Sequence, residues 1–324
     1  MSWFSGAGSR RLLRACSGWG DSLVLLGVLA ALVTLFGILS QHFLTTSMLA
    51  TVGNQIPSLT IVAVGMTWVL IVGGIDLSVG SVMALTGAVF GYLVHSAEWP
   101  AATAAVAALS CAAMCGAFNG WIVVGCAVPS FIVTLGMMEV ARGSAYLVTG
   151  SQTVYLGKQL GWLVEPFGRD GVSAAFLLAV GIVATCQLML RRTVFGRHCI
   201  AAGDNAAALR LSGIDPRRAT WIVFVMSALL SGAAGIIESA RLSIADPNAG
   251  TGMELLAIAA VVIGGTSLTG GRGSVARSFL GVLIIIVLQT GLAQIGASDP
   301  LKRVITGLVI VLAVIGDAWR RRGK

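Results

Sequence analysis

VAVGMTWVLIVGGIDLSVGSVMALTGAVFG, residues 62–91, is two apolar runs joined by a glycine-rich break, Gly73-Gly74-Ile75-Asp76-Leu77-Ser78-Val79-Gly80. Asp76 is the only charge in the stretch. A carboxylate amid that much hydrocarbon points to a membrane protein. There, irregular backbone at depth persists only where protein or a water-filled cavity satisfies it. Ile75 to Ser78 also reads as a helix start, with Asp or Ser accepting from orphan amides at the positive end of the dipole. The residues alone leave two readings of Asp76, a cap in a cytoplasmic turn or a member of a transport pathway.

The rest of the chain extends this pattern. Of 324 residues 56% are hydrophobic and only 10% charged, and the mean hydropathy is +0.92. Soluble domains carry about a quarter charged residues. No Asp, Glu, Lys or Arg occurs over 22–75, 77–97, 99–138, 172–190, 219–237, 255–271 or 278–298. A spanning helix needs about 20 apolar residues, so the longer runs hold more than one span. The fold class expected is all-α: one polytopic transmembrane domain over 1–324, about ten transmembrane helices, with glycine-rich broken or re-entrant segments. Spans are expected over 22–40, 56–73, 79–94, 100–123, 130–148, 172–190, 219–239, 253–267, 278–295 and 303–318. The first follows a basic tail, 1–21, and reads as an anchor, because it is long enough to span and lacks a cleavage motif.

Charge placement orients these spans. With the N-terminus in the cytoplasm, inside segments carry Arg10, Arg11, Arg14, Arg191, Arg192, Arg197, Arg210, Arg217, Arg218, Arg272, Arg277, Arg320, Arg321, Arg322 and Lys324. Outside segments carry Lys158, Arg169, Arg241, Lys302 and Arg303, and Arg142 falls within a span. Both termini are therefore expected in the cytoplasm. The net charge of +8 is a cytoplasmic-face excess that calls for no nucleic acid.

Other chemistry is sparse. The histidines, His42, His95 and His198, are scattered, and Cys111 and Cys115, one helical turn apart, have no further ligand nearby. No metal site, cofactor or catalytic set is expected. No G-x-x-x-x-G-K-[ST] phosphate loop occurs, so ATP hydrolysis would need a partner. Small residues at four-residue spacing (Gly80, Ala84, Ala88; Gly87, Gly91; Gly116, Gly120) predict close helix packing.

The break has an echo. Residues 69–80, VLIVGGIDLSVG, align with 260–271, AVVIGGTSLTGG, at one offset. Glycine-interrupted apolar segments at matching places in two halves mark a transport site. Candidate pathway groups are Asn54, Gln55, Asp76, Ser78, Asn119, Ser130, Thr134, Thr266 and Gln289, whose amides and hydroxyls suit a neutral solute that must also be released. Each alone could equally be a helix-to-helix hydrogen bond.

Between two clear spans lies RRTVFGRHCIAAGDNAAALRLSGIDPRR, residues 191–218. A short helix is expected over 205–211, capped by Asp204 or Asn205, closed by Gly213 and followed by a restart at Pro216. Glu139 with Arg142 and Glu238 with Arg241 are each three apart, the spacing of an ion pair within a helix. The second pair is expected at the outer vestibule, where a binding protein could dock.

Residues 63–89, 196–214 (GRHCIAAGDNAAALRLSGI) and 235–274 (GIIESARLSIADPNAGTGMELLAIAAVVIGGTSLTGGRGS) resemble the monosaccharide (ribose-type) permease subunits of bacterial ABC importers. The resemblance extends over nearly the whole chain. It implies a multi-pass homodimer in the bacterial inner membrane, moving ribose or a similar sugar delivered by a periplasmic sugar-binding protein. A cytoplasmic ATP-binding subunit would drive it. It also implies that the 196–214 segment, with Gly196, Arg197, Gly203, Asn205, Ala206, Ala207, Leu211, Ser212 and Gly213, docks on that ATPase. Residues 204–206 read Asp-Asn-Ala where relatives commonly show Gly-Asn and then Glu or Ala. Glu139 stands where an apolar residue is expected. The rival class is an ion-coupled secondary transporter of a small polar solute, with Asp76 and Glu139 as its only acids in reach.

Overall fold

The computed structural model describes residues 6–41, 43–157, 160–168 and 171–322. Lys158, Arg169 and Lys324, used above for orientation, and His42 lie outside the described residues. Twelve helices follow in order: α1 Gly6–Leu39, α2 Thr46–Ile71, α3 Val79–His95, α4 Ala101–Gly125, α5 Ser130–Thr149, α6 Gly161–Val164, α7 Ala174–Arg192, α8 Val194–Leu211, α9 Pro216–Leu242, α10 Met253–Ile263, α11 Val275–Gln294 and α12 Asp299–Arg322. Two short strands, β1 (Val154–Tyr155) and β2 (Ile244–Ala245), pair antiparallel with Val154 opposite Ala245.

Each of the ten expected spans falls on a helix, but not all of them are full spans. Seven, in α1, α2, α4, α5, α7, α9 and α11, are long and apolar enough to cross a bilayer. α3 has 17 residues and α10 only 11. At 1.5 Å per residue α10 covers about 16 Å, roughly half the hydrocarbon thickness. Two boundaries also move. The expected tail 1–21 is not a separate element, since helix runs from Gly6 unbroken into the first span. The second helix begins ten residues before the expected 56, and Pro57 lies inside it.

α2 is the centre of the molecule. Every residue from Ile56 to Ile71 is buried, as expected for a helix that is apolar all round. Its Ile61, Met66 and Leu70 join residues of α7, α9, α10 and α11 in one core cluster. α9 is the second organiser, packed along α2, α3 and α4. The small-residue faces act as expected here. A Cβ on Gly116 would lie 2.6 Å from the Phe224 carbonyl oxygen, so glycine lets α4 and α9 meet backbone to backbone.

α9 also sets the depth of the break. Phe224 lies against Gly74, Ser227 bonds Asp76, Gly235 meets Met83, and Ser239 meets Gly87. Ser227 follows Pro216 by eleven residues, so it sits about 16 Å along a helix about 40 Å long. Asp76 therefore lies at mid-depth, not in a surface turn. The chain leaves α2, climbs back through residues 72–78, and starts α3 inside the protein.

Candidate translocation and coupling site

The first break is held by side chains from three other helices, its backbone by α5 and the side chains of Asp76 and Ser78 by α9 and α4. Ile75 N donates to Ser130 Oγ at 2.9 Å, and Leu77 N to Thr134 Oγ1 at 3.0 Å. The Thr134 hydroxyl can return a bond to Ile75 O at 3.2 Å. Asp76 Oδ1 accepts from Ser78 N at 3.0 Å and Ser78 Oγ at 2.6 Å, and Oδ2 from Ser227 Oγ at 3.1 Å. Asn119 Nδ2 completes the cage by donating to Ser78 Oγ at 3.1 Å. Asp76 is 1% exposed. Ser78 precedes α3 as its cap residue, but its side chain makes no capping bond. The carboxylate closes a turn on Ser78 instead. The amides of Ile75, Leu77 and Ser78 are thus satisfied by protein side chains, as burial at depth demands.

The echo in sequence is an echo in structure, with one residue of slippage. Ser267 Oγ accepts from Thr269 N at 3.2 Å and bonds Thr269 Oγ1 at 2.9 Å. This repeats what Asp76 does for Ser78, at the predicted offset. The helix ends differ. α2 closes with Gly73 N on Leu70 O and Gly74 N on Val69 O, and α10 with Gly265 N on Val262 O and Thr266 N on Val261 O. Both are Schellman closures with glycine left-handed at φ +81° and +80°. Gly73 therefore corresponds to Gly265, not to Gly264, and the first break has one more residue before its turn. Thr266 is buried within 3.5 Å of Ser278 Oγ, which also accepts from Thr67 Oγ1 at 2.9 Å.

The two breaks meet each other and α8. Gly271 N donates to Ile71 O at 2.9 Å. A Cβ on Gly203 would overlap Ile71 O and come within 2.6 Å of Gly271 N. A Cβ on Gly270 would lie 2.8 Å from Gly203 O and 3.0 Å from Gly73 Cα. Glycine at 203 and 270 is what lets three backbones converge.

α8 is two helices meeting at Asn205: the second is the short helix expected over 205–211, and an additional one, from Val194, precedes it. The chain kinks at Asn205 (φ −157°, ψ 91°), whose Oδ1 accepts from Ala208 N at 2.9 Å. The expected Asn205 cap is thus made at the start of the second helix. Thr193 caps the first half through Gly196 N at 3.1 Å. Gly213, left-handed at φ +83°, follows the end, and Asp215 caps α9 ahead of Pro216. Gly196 and Cys199 are buried, whereas Arg197, Ala206, Ala207, Leu211, Ser212 and Gly213 are exposed.

At the other end of α9, Arg241 forms the expected pair with Glu238, Nη2 to Oε1 at 2.5 Å and Nε to Oε2 at 3.2 Å. Ser58 Oγ adds a bond to Glu238 Oε2 at 2.7 Å. A cavity of about 230 Å³ between α6 and the end of α9 has Arg241, Glu165 and Ser243 in its wall. The pair expected between Glu139 and Arg142 is not formed. Arg142 Nη1 instead donates to Pro247 O at 2.6 Å and Ala249 O at 2.9 Å, because the loop before α10 descends beside α5 and offers two carbonyls.

Asp76, Ser78, Asn119, Ser130 and Thr134 are therefore one cluster, and Thr266 belongs to the matching one. Asn54, Gln55 and Gln289 stand apart. Asn54 Oδ1 accepts from Ser173 N at 3.1 Å, Gln55 is exposed and Gln289 half-buried. Sequence reading missed Ser227, Thr67, Ser278 and Gln187, whose Oε1 accepts from Ala276 N at 3.0 Å at the start of α11. Single hydroxyls and amides in apolar runs carry no signal of which face they occupy.

Long apolar helices, two shorter apolar helices and buried irregular segments between them define a multi-pass membrane permease. The profile described as "Branched-chain amino acid transport system / permease component" matches residues 48–314, and the chain belongs to that family. The chain is 42% identical over 317 residues to the ribose import permease of Escherichia coli K12, covering 96% of this chain and 97% of the relative. To the ribose import permease of Bacillus subtilis it is 37% identical over 290 residues, 88% and 89% of the two chains. To the fructose import permease of Rhizobium meliloti it is 32% identical over 304 residues, 91% and 84%. These relatives are transport components, not enzymes. No solved structure matches.

Proposed function

We propose that this chain is the membrane subunit of an ATP-driven importer for a monosaccharide, ribose or a similar sugar, in the bacterial inner membrane. The near-full-length similarity to ribose and fructose import permeases supports the cargo class. In this reading two copies form one passage, a cytoplasmic ATPase docks on α8, and a periplasmic sugar-binding protein docks at the Glu238 and Arg241 end. Both termini and α8 face the cytoplasm.

The observation that carries the mechanism is the junction of α8 with both breaks, through Gly203, Ile71 and Gly271. A push on α8 reaches the end of α2 and the turn after α10 together. From there it passes into the Asp76 cage and α3, and into α11. Interfaces packed this tightly shift between discrete arrangements instead of bending. The pathway candidates divide accordingly. Asp76, Ser78, Asn119, Ser130, Thr134 and Thr266 hold the moving segments, and Asn54 ties α2 to the start of α7 through Ser173 N.

The test is reconstitution in proteoliposomes with the partner ATPase and sugar-binding protein. ATP-dependent ribose uptake is expected, with none from the isolated chain. Accumulation by the isolated chain driven by an ion gradient overturns the reading.

A further inference from the structure

The cavity of about 230 Å³ between α6 and the last turn of α9 lies at the end of α9 remote from α8. Backbone bonds fix its walls. Ser243, left-handed at φ +57°, closes α9 by donating from its amide to Ala240 O at 3.2 Å, and its carbonyl accepts from Leu156 N at 2.9 Å. On the α6 side, Glu165 N donates to Gly161 O at 2.7 Å, and Phe167 N to Val172 O at 3.1 Å. Glu165, Arg241 and Ser243 therefore stand on fixed backbone, with Val164 and Ala240 as apolar wall. Glu165 is exposed and Arg241 and Ser243 are half-exposed, so the cavity is open to solvent.

Two opposite charges share this wall without pairing with each other. Arg241 gives Nε and Nη2 to Glu238, which uses two of the roughly five N–H donors of a guanidinium. Among the described residues no cation pairs with Glu165, whose carboxylate can accept about four hydrogen bonds. Residues with unused donors and unused acceptors, and the Ser243 hydroxyl, thus border one space. Its volume equals that of about eight waters in the liquid, enough for one solute of monosaccharide size. With Glu238 counted, two acids stand against one base, which disfavours an anion.

Resting on the sugar-importer reading above, we propose that this cavity is a receiving subsite, which holds one neutral, polyhydroxylated cargo molecule after the sugar-binding protein releases it. Neighbouring hydroxyls of the cargo donate to Glu165 and accept from Arg241, and its C–H face lies on Val164 and Ala240. In that reading the binding protein docks at the Glu238 and Arg241 end, so released sugar meets this cavity first. Each hydrogen bond here replaces one to water and contributes about 1 kcal/mol. Weak holding suits a subsite that must pass its cargo on.

The test uses this chain with its ATPase in lipid nanodiscs, with ribose in large excess as the probe. Val164→Cys, in the cavity wall, and Gln152→Cys, at an exposed loop position outside it, are treated with a water-soluble thiol reagent. Labelled positions are located by mass spectrometry. Ribose is expected to slow labelling at 164 at least threefold and to leave labelling at 152 unchanged. Glu165→Ala is expected to abolish that protection, and ribose 5-phosphate to give none. In the complete assembly with the binding protein, Glu165→Ala is expected to lower ribose uptake per ATP hydrolysed about fivefold, because released sugar escapes while stimulated hydrolysis persists. Labelling at 164 that ribose does not slow, or that ribose 5-phosphate slows equally, overturns the subsite, as does an unchanged ratio of uptake to hydrolysis in Glu165→Ala. Protection by the sugar-free binding protein but not by ribose makes the cavity a socket for a side chain of that partner and overturns the subsite too. Failure of the wild-type assembly to carry any monosaccharide overturns the importer reading instead, whatever the labelling shows.

Discussion

The amide of Gly271 donates to the carbonyl of Ile71, 2.9 Å away, so the turn after α10 is fastened to the last residue of α2. Gly203 of α8 fills the remaining space against both. A methyl at 203 must displace one of them. Gly203→Ala is therefore expected to reduce ATP-driven sugar uptake tenfold or more while the ATPase still co-purifies and hydrolyses ATP. Paired measurements of uptake and hydrolysis in proteoliposomes check this. Normal stoichiometry in Gly203→Ala would remove the junction from the coupling path.

Docking is separable from that junction. Leu211 is 91% exposed, and Ala206 and Ala207 are exposed beside it. Leu211→Ser or Ala207→Arg is expected to abolish co-purification of the ATPase. The chain's own stability should change by no more than about 0.5 kcal/mol, as is usual for surface substitutions away from special features. Retained co-purification in both variants argues that the ATPase binds elsewhere.

What the sequence reveals follows from what leaves a local trace. The breaks are legible because glycine pairs interrupt apolar runs, and the Asp76 turn and its Ser267 counterpart are legible because polar residues two apart repeat. The one-residue slip is not, since either glycine of each pair could take the left-handed position. The half-length of α10 is missed because the expected span, 253–267, runs on through the uncharged Gly264-Gly265-Thr266-Ser267, whereas the helix ends at Ile263. Ser227 and Thr134 share the break only through tertiary packing, and Arg142 turns away from Glu139 because a distant loop supplies better acceptors. In each case the missing information is a contact partner remote in sequence.

The Asp76 cage should reveal itself as stability. Thr134 is fully buried and serves both Leu77 N and Ile75 O. Thr134→Val strands two partly buried backbone groups, and an unmet group costs up to about 1–3 kcal/mol when buried. Thr149 makes only bonds within its own helix, to Ala145 O and Tyr146 O, so Thr149→Val is the control. Thermal unfolding in detergent should show a clearly lower midpoint for Thr134→Val than for Thr149→Val. Equal midpoints would mean that other donors hold the break.

The pair at the far end of α9 separates stability from docking. Glu238 and Arg241 are 14% and 31% exposed at their side chains, and Ser58 supports the carboxylate. An ion pair between neighbours on one helix, partly open to solvent, contributes about 1 kcal/mol or less. Exchanging the two, Glu238→Arg with Arg241→Glu, keeps opposite charges three residues apart and should leave the unfolding midpoint nearly unchanged. It inverts the local field that a partner meets. Stimulation of ATP hydrolysis by the sugar-binding protein should then fall about tenfold, while basal hydrolysis stays as in the wild type. Undiminished stimulation in the exchanged variant places the docking surface away from this pair, because reversing both charges leaves no attractive contact made through either side chain intact.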